Sequence, residues 1–579
     1  MNTGTVLLTN VLRRRRRSLD GAWRVIVDPY ETGYVGIMGG RNDRGYFRDW
    51  SARSPSDRIE YDFDTSPTLE VPGDWTTQRD ELRYYEGTVW YRRRFSADER
   101  AGHRMFLHVG AANHRCRVFL DGDELATHEG GFSPFAVELT GRLGGEHSLV
   151  CQVDNRRRPD AVPAMRTDWW NDGGITRSVD LVEVPETFLA DAWVTMAPDG
   201  RLVGGGRLDG PDAAGAAVDL TIGSATTSTV RSGSDGSFEL DLDAPTELER
   251  WAPGRPVLHD VTWMAGDDAI ADEVGFRTVR TDGNRILVND EPTFLRGISI
   301  HAEAPIRGGR AHGLAEARQL LGWAEDLGAN FVRLAHYQHD EHMVREADRR
   351  GLLAWCELPV YWGIDFGSAS TLADALDQAD ELVARDRSRA SVILWSVANE
   401  TPPSEERTAF LGSLVDRVRS LDPTRLTTAA LFTMPTTERT HHVDDPFGEL
   451  VDVVAVNQYL GWYYAEVDDV AGHEWTTAFG KPVIFSELGA GARQGHHGPA
   501  DHRWTEEFQV AVYEAQLAML DHVPDLAGLS PWILTDFRTP LRVLPGIQDG
   551  WNRKGLISDR GIRKAAFETL RRYYAERSR

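Results

Sequence analysis

Two glutamates in this chain close apolar runs that would otherwise pass for buried strand. "SVILWSVANE" ends on Asn399 and Glu400, and "KPVIFSELG" places Glu487 after Val483–Phe485. A carboxylate is costly to bury, so its recurrence at such ends points to use. Other runs finish in the same way. "FLRGISI" leads to His301, "NFVRLAHY" to His336 and Tyr337, "GLLAWCELP" to Glu357, and "VDVVAVNQY" to Asn457 and Tyr459. "LAGLSPWIL" carries Trp532, with Asp536 just beyond. Two neighbouring carboxylates push their protonation states apart, so one can donate a proton while the other stays ionised as a nucleophile. Taken singly, either glutamate reads as an ordinary strand-end charge. The set of polar strand ends does not.

The elements that must position these groups follow from periodicity. Counting "RLTTAAL", eight short apolar runs alternate with amphipathic segments such as "GLAEARQLLGWAEDLG" and "RTAFLGSLVDRVRSLD". Eight strand-helix repeats over residues 281–579 match a TIM (β/α)8 barrel. An open doubly wound sheet would want a Gly-rich phosphate loop at its first strand, and none is there. In a barrel the C-terminal strand ends share one face, and the fourth and seventh strands are expected to face each other, bringing Glu400 to Glu487. Residues 1–185 alternate apolar and polar residues in short stretches such as "TVWYRRRFSA" and "HSLVCQVDN", which predicts a jelly-roll sandwich. Residues 186–280 continue in smaller strands with Gly-Asp turns, predicting a second, immunoglobulin-like sandwich.

Composition narrows the partners. The 579 residues carry a formal net charge of −25, which argues against nucleic acid or an anionic membrane. The basic run Arg13–Arg17 reads as a solvated approach to the first sandwich. The first residues lack the charge order of a signal peptide, and no apolar run reaches membrane-spanning length. Cys116, Cys151 and Cys356 are odd in number and far apart, so free buried thiols and a cytoplasmic setting are expected. A homo-oligomer is compatible with all of this.

Paired carboxylates at a barrel mouth suit glycoside hydrolysis. One protonates the leaving oxygen while the other attacks the anomeric carbon, and a separation of roughly 5–5.5 Å gives retention of configuration. Asn399 could then donate to the hydroxyl next to the reacting carbon. Here the sequence resembles glycoside hydrolase family 2, and within it the β-glucuronidases, along nearly its whole length. "SLDGAWRVIVD", "VPGDW" and "WYRRRF" are similar to the family's N-terminal jelly roll, and "DWWNDGGITRSVDLV" to its end. "LRGISIH", "NFVRLAHY", "WSVANE" and "VIFSELG" follow the family's barrel segments in order. The resemblance implies a retaining exo-β-glycosidase without cofactor or metal, with Glu400 as acid/base and Glu487 as nucleophile. It places Asn457 and Tyr459 beside the nucleophile, with Trp462 and Tyr463 following. Asp168 of "TDWWND" would reach into the pocket from the jelly roll. "GWNRKG" resembles the Asn-x-Lys motif that holds a sugar carboxylate, here Asn552 and Lys554, which implies a β-glucuronide substrate. An ammonium and an amide donor suit a carboxylate better than a neutral hydroxyl. The family's preceding Arg is matched only by Arg542, set further back by "VLPGIQDGW", a stretch that could carry Lys554 away from the sugar.

Other readings keep the chemistry and change the sugar to a galacturonide, a galactoside or a furanoside. A carbohydrate-binding protein without activity would need neither Glu400 nor Glu487. A metal hydrolase built on "HYQHDEH", His441-His442 or His496-His497 lacks the His-Glu-x-x-His helix spacing.

Overall fold

The computed structural model describes residues 2–36, 38–57, 59–224, 226–433 and 439–578. The N-terminal part is two facing antiparallel sheets. One orders its strands as Thr5–Val6, Phe135–Glu138, His103–Val109, Val179–Pro185 and Arg16–Ser18. The other runs Thr68–Val71, Gly21–Asp28, Thr88–Ala97, Gly145–Asp154, Arg115–Leu120 and Asp123–Glu129. Strand alternation sorts the side chains between two faces. Tyr91, Val118 and Cys151 enter the core between the sheets with Trp23, whereas Trp90, Phe119 and Val150 point outward and pack under Tyr46, Phe47 and Phe63. The described residues around Tyr34, Tyr46, Phe47 and Phe63 therefore form a third layer over the six-stranded sheet.

A smaller sandwich follows. Phe188–Met196, Leu202–Asp209 and Ser237–Leu242 make one sheet, and Thr226–Arg231, Ala217–Ile222, His259–Ala265 and Asp268–Val274 the other. Leu189, Val194, Leu220, Trp263 and Phe276 fill the space between them.

The basic run departs from its expectation. Arg13 donates to Asp272 at 2.9 Å and Glu273 at 3.0 Å, and Arg16 to Asp180 at 2.9 Å. Arg14 is buried and donates to the carbonyls of Thr9 (3.0 Å) and Leu189 and to Asp268. These arginines tie the first segment to both sandwiches. Carboxylates waiting along the path offset the cost of desolvating the guanidiniums, which charge counting along the chain does not register.

The third part is a closed ring of eight parallel strands, β1 (Leu295–Ile300), β2 (Phe331–Leu334), β3 (Leu353–Glu357), β4 (Val392–Asn399), β5 (Leu426–Phe432), β6 (Val454–Asn457), β7 (Val483–Glu487) and β8 (Leu526–Leu529). Every residue of β2, β3, β4, β6 and β7 is buried, as helices outside and packed side chains within require. Side-chain caps start several surrounding helices: Ser368 accepts from the Thr371 amide, Ser404 from Arg407 and Thr505 from Phe508. Two expectations need correction. β4 and β7 stand three places apart around the ring, not opposite each other. The fifth crossover also lacks an α-helix among the described residues. It carries the strand Thr440–Val443, paired with Glu474–Thr477, and a 3-10 turn at Pro446–Glu449. β-Branched Thr and Val with an Asp-Asp-Pro stop give this stretch no helical periodicity. All three cysteines are buried free thiols, and no helix among the described residues is long and apolar enough to cross a membrane.

Candidate active site

Glu487 ends β7, and its oxygens are held from two directions. Oε1 accepts from Arg333 Nη1 at 2.9 Å, and Oε2 from the hydroxyl of Tyr459, just after β6. Arg333 sits inside β2, fully buried, and its other nitrogens reach Asn399 Oδ1 (2.7 Å) and the Glu357 carboxylate (3.0 and 3.3 Å). Glu357, at the end of β3, also accepts from Trp355 Nε1 (2.8 Å) and Ser396 Oγ (2.9 Å) and bonds His336 Nδ1 at 2.8 Å. Burial alone would raise the Glu357 carboxyl, but Arg333 and His336 outweigh it and hold it at about 2. Glu487 goes the other way. Burial pushes it up to about 7, with the charge of Glu400 adding to the rise and Arg333 and Tyr459 opposing it.

Glu400 follows β4 in left-handed backbone, φ 49°, its amide fixed to the Ala430 carbonyl of β5 at 2.8 Å. A non-glycine residue there stores strain of about 1–3 kcal/mol, and such strain gathers at functional sites. The β4–β5 ladder skips from Ser396 to Asn399 at this point, and the β6–β7 ladder shifts between Val456 and Asn457. Those irregularities re-aim side chains at the barrel rim. Trp362 Nε1 donates to Glu400 Oε2 at 2.9 Å and Asn457 Nδ2 to Oε1 at 3.1 Å, while Asn457 Oδ1 accepts from Ser486 at 2.7 Å. Asn457 thus spans from one carboxylate to the residue preceding the other. Asn399 is buried, and its Nδ2 has no hydrogen-bond partner among the described residues. An unpaired buried donor is expensive, so this one is poised for a ligand acceptor.

Aromatic rings make the floor. Trp532 stacks on His336 with centroids 4.7 Å apart, and Trp169 of the jelly roll lies 5.7 Å from the same imidazole and 4.9 Å from Tyr361. Burial holds His336 down at about 4, so it stays neutral at pH 7. His301 bonds the Tyr337 hydroxyl through Nδ1 at 3.1 Å and meets Trp532 edge-on at 5.1 Å.

The outer wall is built across the two end parts of the chain. Asp168 accepts from Thr539 (2.9 Å), from Arg542 through Nε (3.2 Å) and Nη2 (2.5 Å), and from Asn552 Nδ2 (3.1 Å). Asn552 Oδ1 in turn takes the Lys554 amide at 3.1 Å. Lys554 is buried; its Nζ donates to Tyr463 at 2.8 Å and lies 4.5 Å from the ring centre of Tyr459. Tyr463 itself is half exposed. The stretch "VLPGIQDGW" does not carry Lys554 off, because Gly550 returns its amide to the Arg542 carbonyl at 2.8 Å and closes the loop on itself. Below the motif, Asp536 binds Lys564 (2.7 Å), Arg553 (3.2 Å) and the Gly555 amide (3.0 Å). In Asn552–Lys554, Arg553 therefore faces the scaffold while Lys554 faces the pocket. Gly555 is obligatory: a Cβ there would lie 2.1 Å from the Asp536 nitrogen.

Hydrogen bonds and ring contacts bring Glu400, Glu487, Asn399, Asn457, Tyr459, His301, His336 and Trp532 together at the C-terminal strand ends, and Asp168, Asn552, Lys554 and Tyr463 form a second chain of contacts that meets them where Lys554 lies over Tyr459. Arg333, Trp362, Tyr361 and Trp169 were missed by sequence reasoning, and Glu357 was seen only as a strand end. An arginine inside an apolar run was the one available signal. The histidine-rich stretch does not converge. His336 turns to Glu357, His339 to the Ala335 carbonyl, and His342 to Asp340.

Comparison with known proteins accords with this architecture. The model for the sugar binding domain of glycosyl hydrolases family 2 matches residues 17–185, and that for the family's TIM barrel domain matches 279–576. A β-glucuronidase of Paenibacillus borealis is 27% identical over 98% of both chains. Two solved structures, each 24% identical, share the fold. A Bifidobacterium dentium β-glucuronidase complexed with coumarin-3-O-glucuronide has a TM-score of 0.83 over 99% of each chain. An Eisenbergiella tayi β-galacturonidase bound to galacturonate has a TM-score of 0.81 over 97% of this chain and 98% of that one. Spanned by the two domain models over most of its length, this chain belongs to glycosyl hydrolase family 2 and is a glycoside hydrolase.

Proposed function

We propose that the chain is a retaining exo-β-glycosidase that hydrolyses β-D-glucuronides, with 1–185, 186–280 and 281–579 as its domains. The observation that carries the sugar assignment is the placement of Lys554. Its buried ammonium sits over the ring of Tyr459, whose hydroxyl holds Glu487, so a carboxylate on the sugar bound at Glu487 lies within its reach. Asn552 adds an amide beside it. The β-glucuronidase relatives at 27–28% identity over nearly the full length support the same reading.

In this mechanism Glu487 is the nucleophile. It reacts as the carboxylate, the form that the Arg333 charge at 2.9 Å favours, while Glu400 serves as the acid. Glu400 gives its proton to the glycosidic oxygen as Glu487 attacks C1, forming a glycosyl ester. Glu400 then takes a proton from the water that attacks C1 and releases Glu487. Asn399 Nδ2 donates to the C2 hydroxyl, a bond that strengthens in the transition state. Free thiols at all three cysteines fit a reducing, cytoplasmic setting.

A nitrophenyl glycoside panel tests the assignment: glucuronide, galacturonide, glucoside, galactoside and an arabinofuranoside. The glucuronide is expected to lead in kcat/KM. A neutral sugar or furanoside in first place overturns the carboxylate reading and leaves the two-carboxylate mechanism standing. Galacturonide in first place keeps Lys554 and reassigns the C4 configuration.

A further inference from the structure

The third layer over the jelly roll contains a cavity that the catalytic pocket does not use. It measures about 420 Å3, within the span of small-molecule sites, and lies between Ile26 of the strand beneath and described residues from Arg44 to Asp57 and from Ile59 to Phe63. Its floor is the outward-facing aromatic cluster on the six-stranded sheet, with Tyr46 and Phe63 buried. Its rim is different. Trp50 is 43% exposed and Tyr61 45%, the latter 4.5 Å from the Tyr46 ring. Arg44 and Glu60 stand exposed beside them, and among the described residues neither side chain has an ion-pair or hydrogen-bond partner, nor does the Trp50 indole N–H. The surface residues that approach the active site belong to other loops of this sandwich, those bearing Asp168 and Trp169.

We propose that this cleft is an ancillary carbohydrate-binding site for a linear oligosaccharide of pyranose units. The axial C–H face of a pyranose is its apolar side and packs on an exposed aromatic ring, while the hydroxyls around the edge need donors and acceptors in the ring plane. The Trp50 and Tyr61 rings supply the first; the Arg44 guanidinium, the Glu60 carboxylate and the indole N–H supply the second. The rim charges cancel, with Arg44 and Arg53 against Asp57 and Glu60, so recognition does not depend on an ionic ligand. A site of this kind would hold the enzyme on a glycan while the barrel trims its ends.

The test uses the full chain with Glu487→Ala, which leaves the polysaccharide intact, run on native gels containing glucuronoxylan, hyaluronan or a neutral β-glucan. At least one polysaccharide should retard the protein, and Trp50→Ala or Tyr61→Ala should weaken that retention roughly tenfold or more, as removal of a buried aromatic anchor does. In otherwise unaltered enzyme the same changes should leave kcat/KM on a nitrophenyl glycoside within about twofold. No retardation on any gel overturns the proposal, as does retention that survives both changes. Sedimentation showing that the changes split a dimer assigns the face to a second copy of the chain and also overturns it. If Trp50→Ala lowers the melting temperature, Tyr61→Ala and Glu60→Gln are judged by the same criterion.

Discussion

Arg333 Nη1 lies 2.9 Å from Glu487 Oε1 while Nη2 of the same guanidinium holds Asn399 Oδ1 at 2.7 Å. One rigid cation thereby sets the spacing between the end of β7 and the end of β4. Lysine presents a single point charge and cannot serve both partners. Arg333→Lys should lower kcat/KM on an aryl glycoside by about a hundredfold or more, roughly 2.7 kcal/mol, with the loss mainly in kcat. It should also lower the melting temperature, because one ammonium cannot replace the guanidinium's hydrogen bonds to Glu357, Asn399 and Glu487 together. Kinetics and calorimetry on one preparation check both; an unchanged kcat would remove Arg333 from the machinery.

Glu487→Ala should abolish nearly all turnover of an activated glycoside, and azide should restore it as a glycosyl azide of inverted configuration. Product configuration by NMR decides. Substantial activity without azide would contradict the nucleophile assignment.

Glu400→Gln should separate substrates by leaving group. A nitrophenolate departs with little protonation, whereas an alkyl leaving group needs the proton. The loss should be about a hundredfold larger on the alkyl glycoside, and equal losses would count against an acid role.

The pH dependence follows from Glu487, raised to about 7 by its burial. The nucleophile must be ionised, so kcat/KM should fall as pH drops through about 7 in the free enzyme. Tyr459 donates to the ionised form, and its hydroxyl is absent in Tyr459→Phe. That change should move the acid limb to higher pH. A limb that stays in place or moves down would show that another group controls it.

Lys554→Ala should cost about ten- to a hundredfold in kcat/KM on a glucuronide, the worth of one charge-assisted hydrogen bond at roughly 1.5–3 kcal/mol. The matching glucoside should change little. Equal effects on both would make Lys554 a structural residue.

Much of this was legible because parallel strands buried on both faces are near-continuous apolar runs, so each polar interruption stands out. The eight runs coincide with β1–β8, and Glu400 and Glu487 were visible as terminal residues of two of them. Arg333 was not, since its partners Glu357, Asn399 and Glu487 come from β3, β4 and β7 and its own position in "NFVRLAHY" looks like an error in an apolar pattern. Trp362 and Tyr361 act through a loop whose path depends on Asn399: the Trp362 amide bonds the Asn399 carbonyl at 3.0 Å, and the Asn399 amide bonds Val360 at 2.9 Å. The length of "VLPGIQDGW" suggested displacement, but the hydrogen bond that closes the loop is a contact between its two ends and leaves no local signature.

Asp272 of the small sandwich receives Arg13 at 2.9 Å, Arg345 at 2.6 Å and Arg389 at 2.5 Å, one arginine from the first segment and two from the barrel. Three parts of the chain meet at a single buried carboxylate. Melting the small sandwich alone would take this counter-charge from Arg345 and Arg389, both buried, so its unfolding is coupled to that of the barrel. A scanning calorimeter should record one endotherm for the intact chain. Asp272→Asn should split or broaden it, because the hinge that couples the parts would then carry no charge.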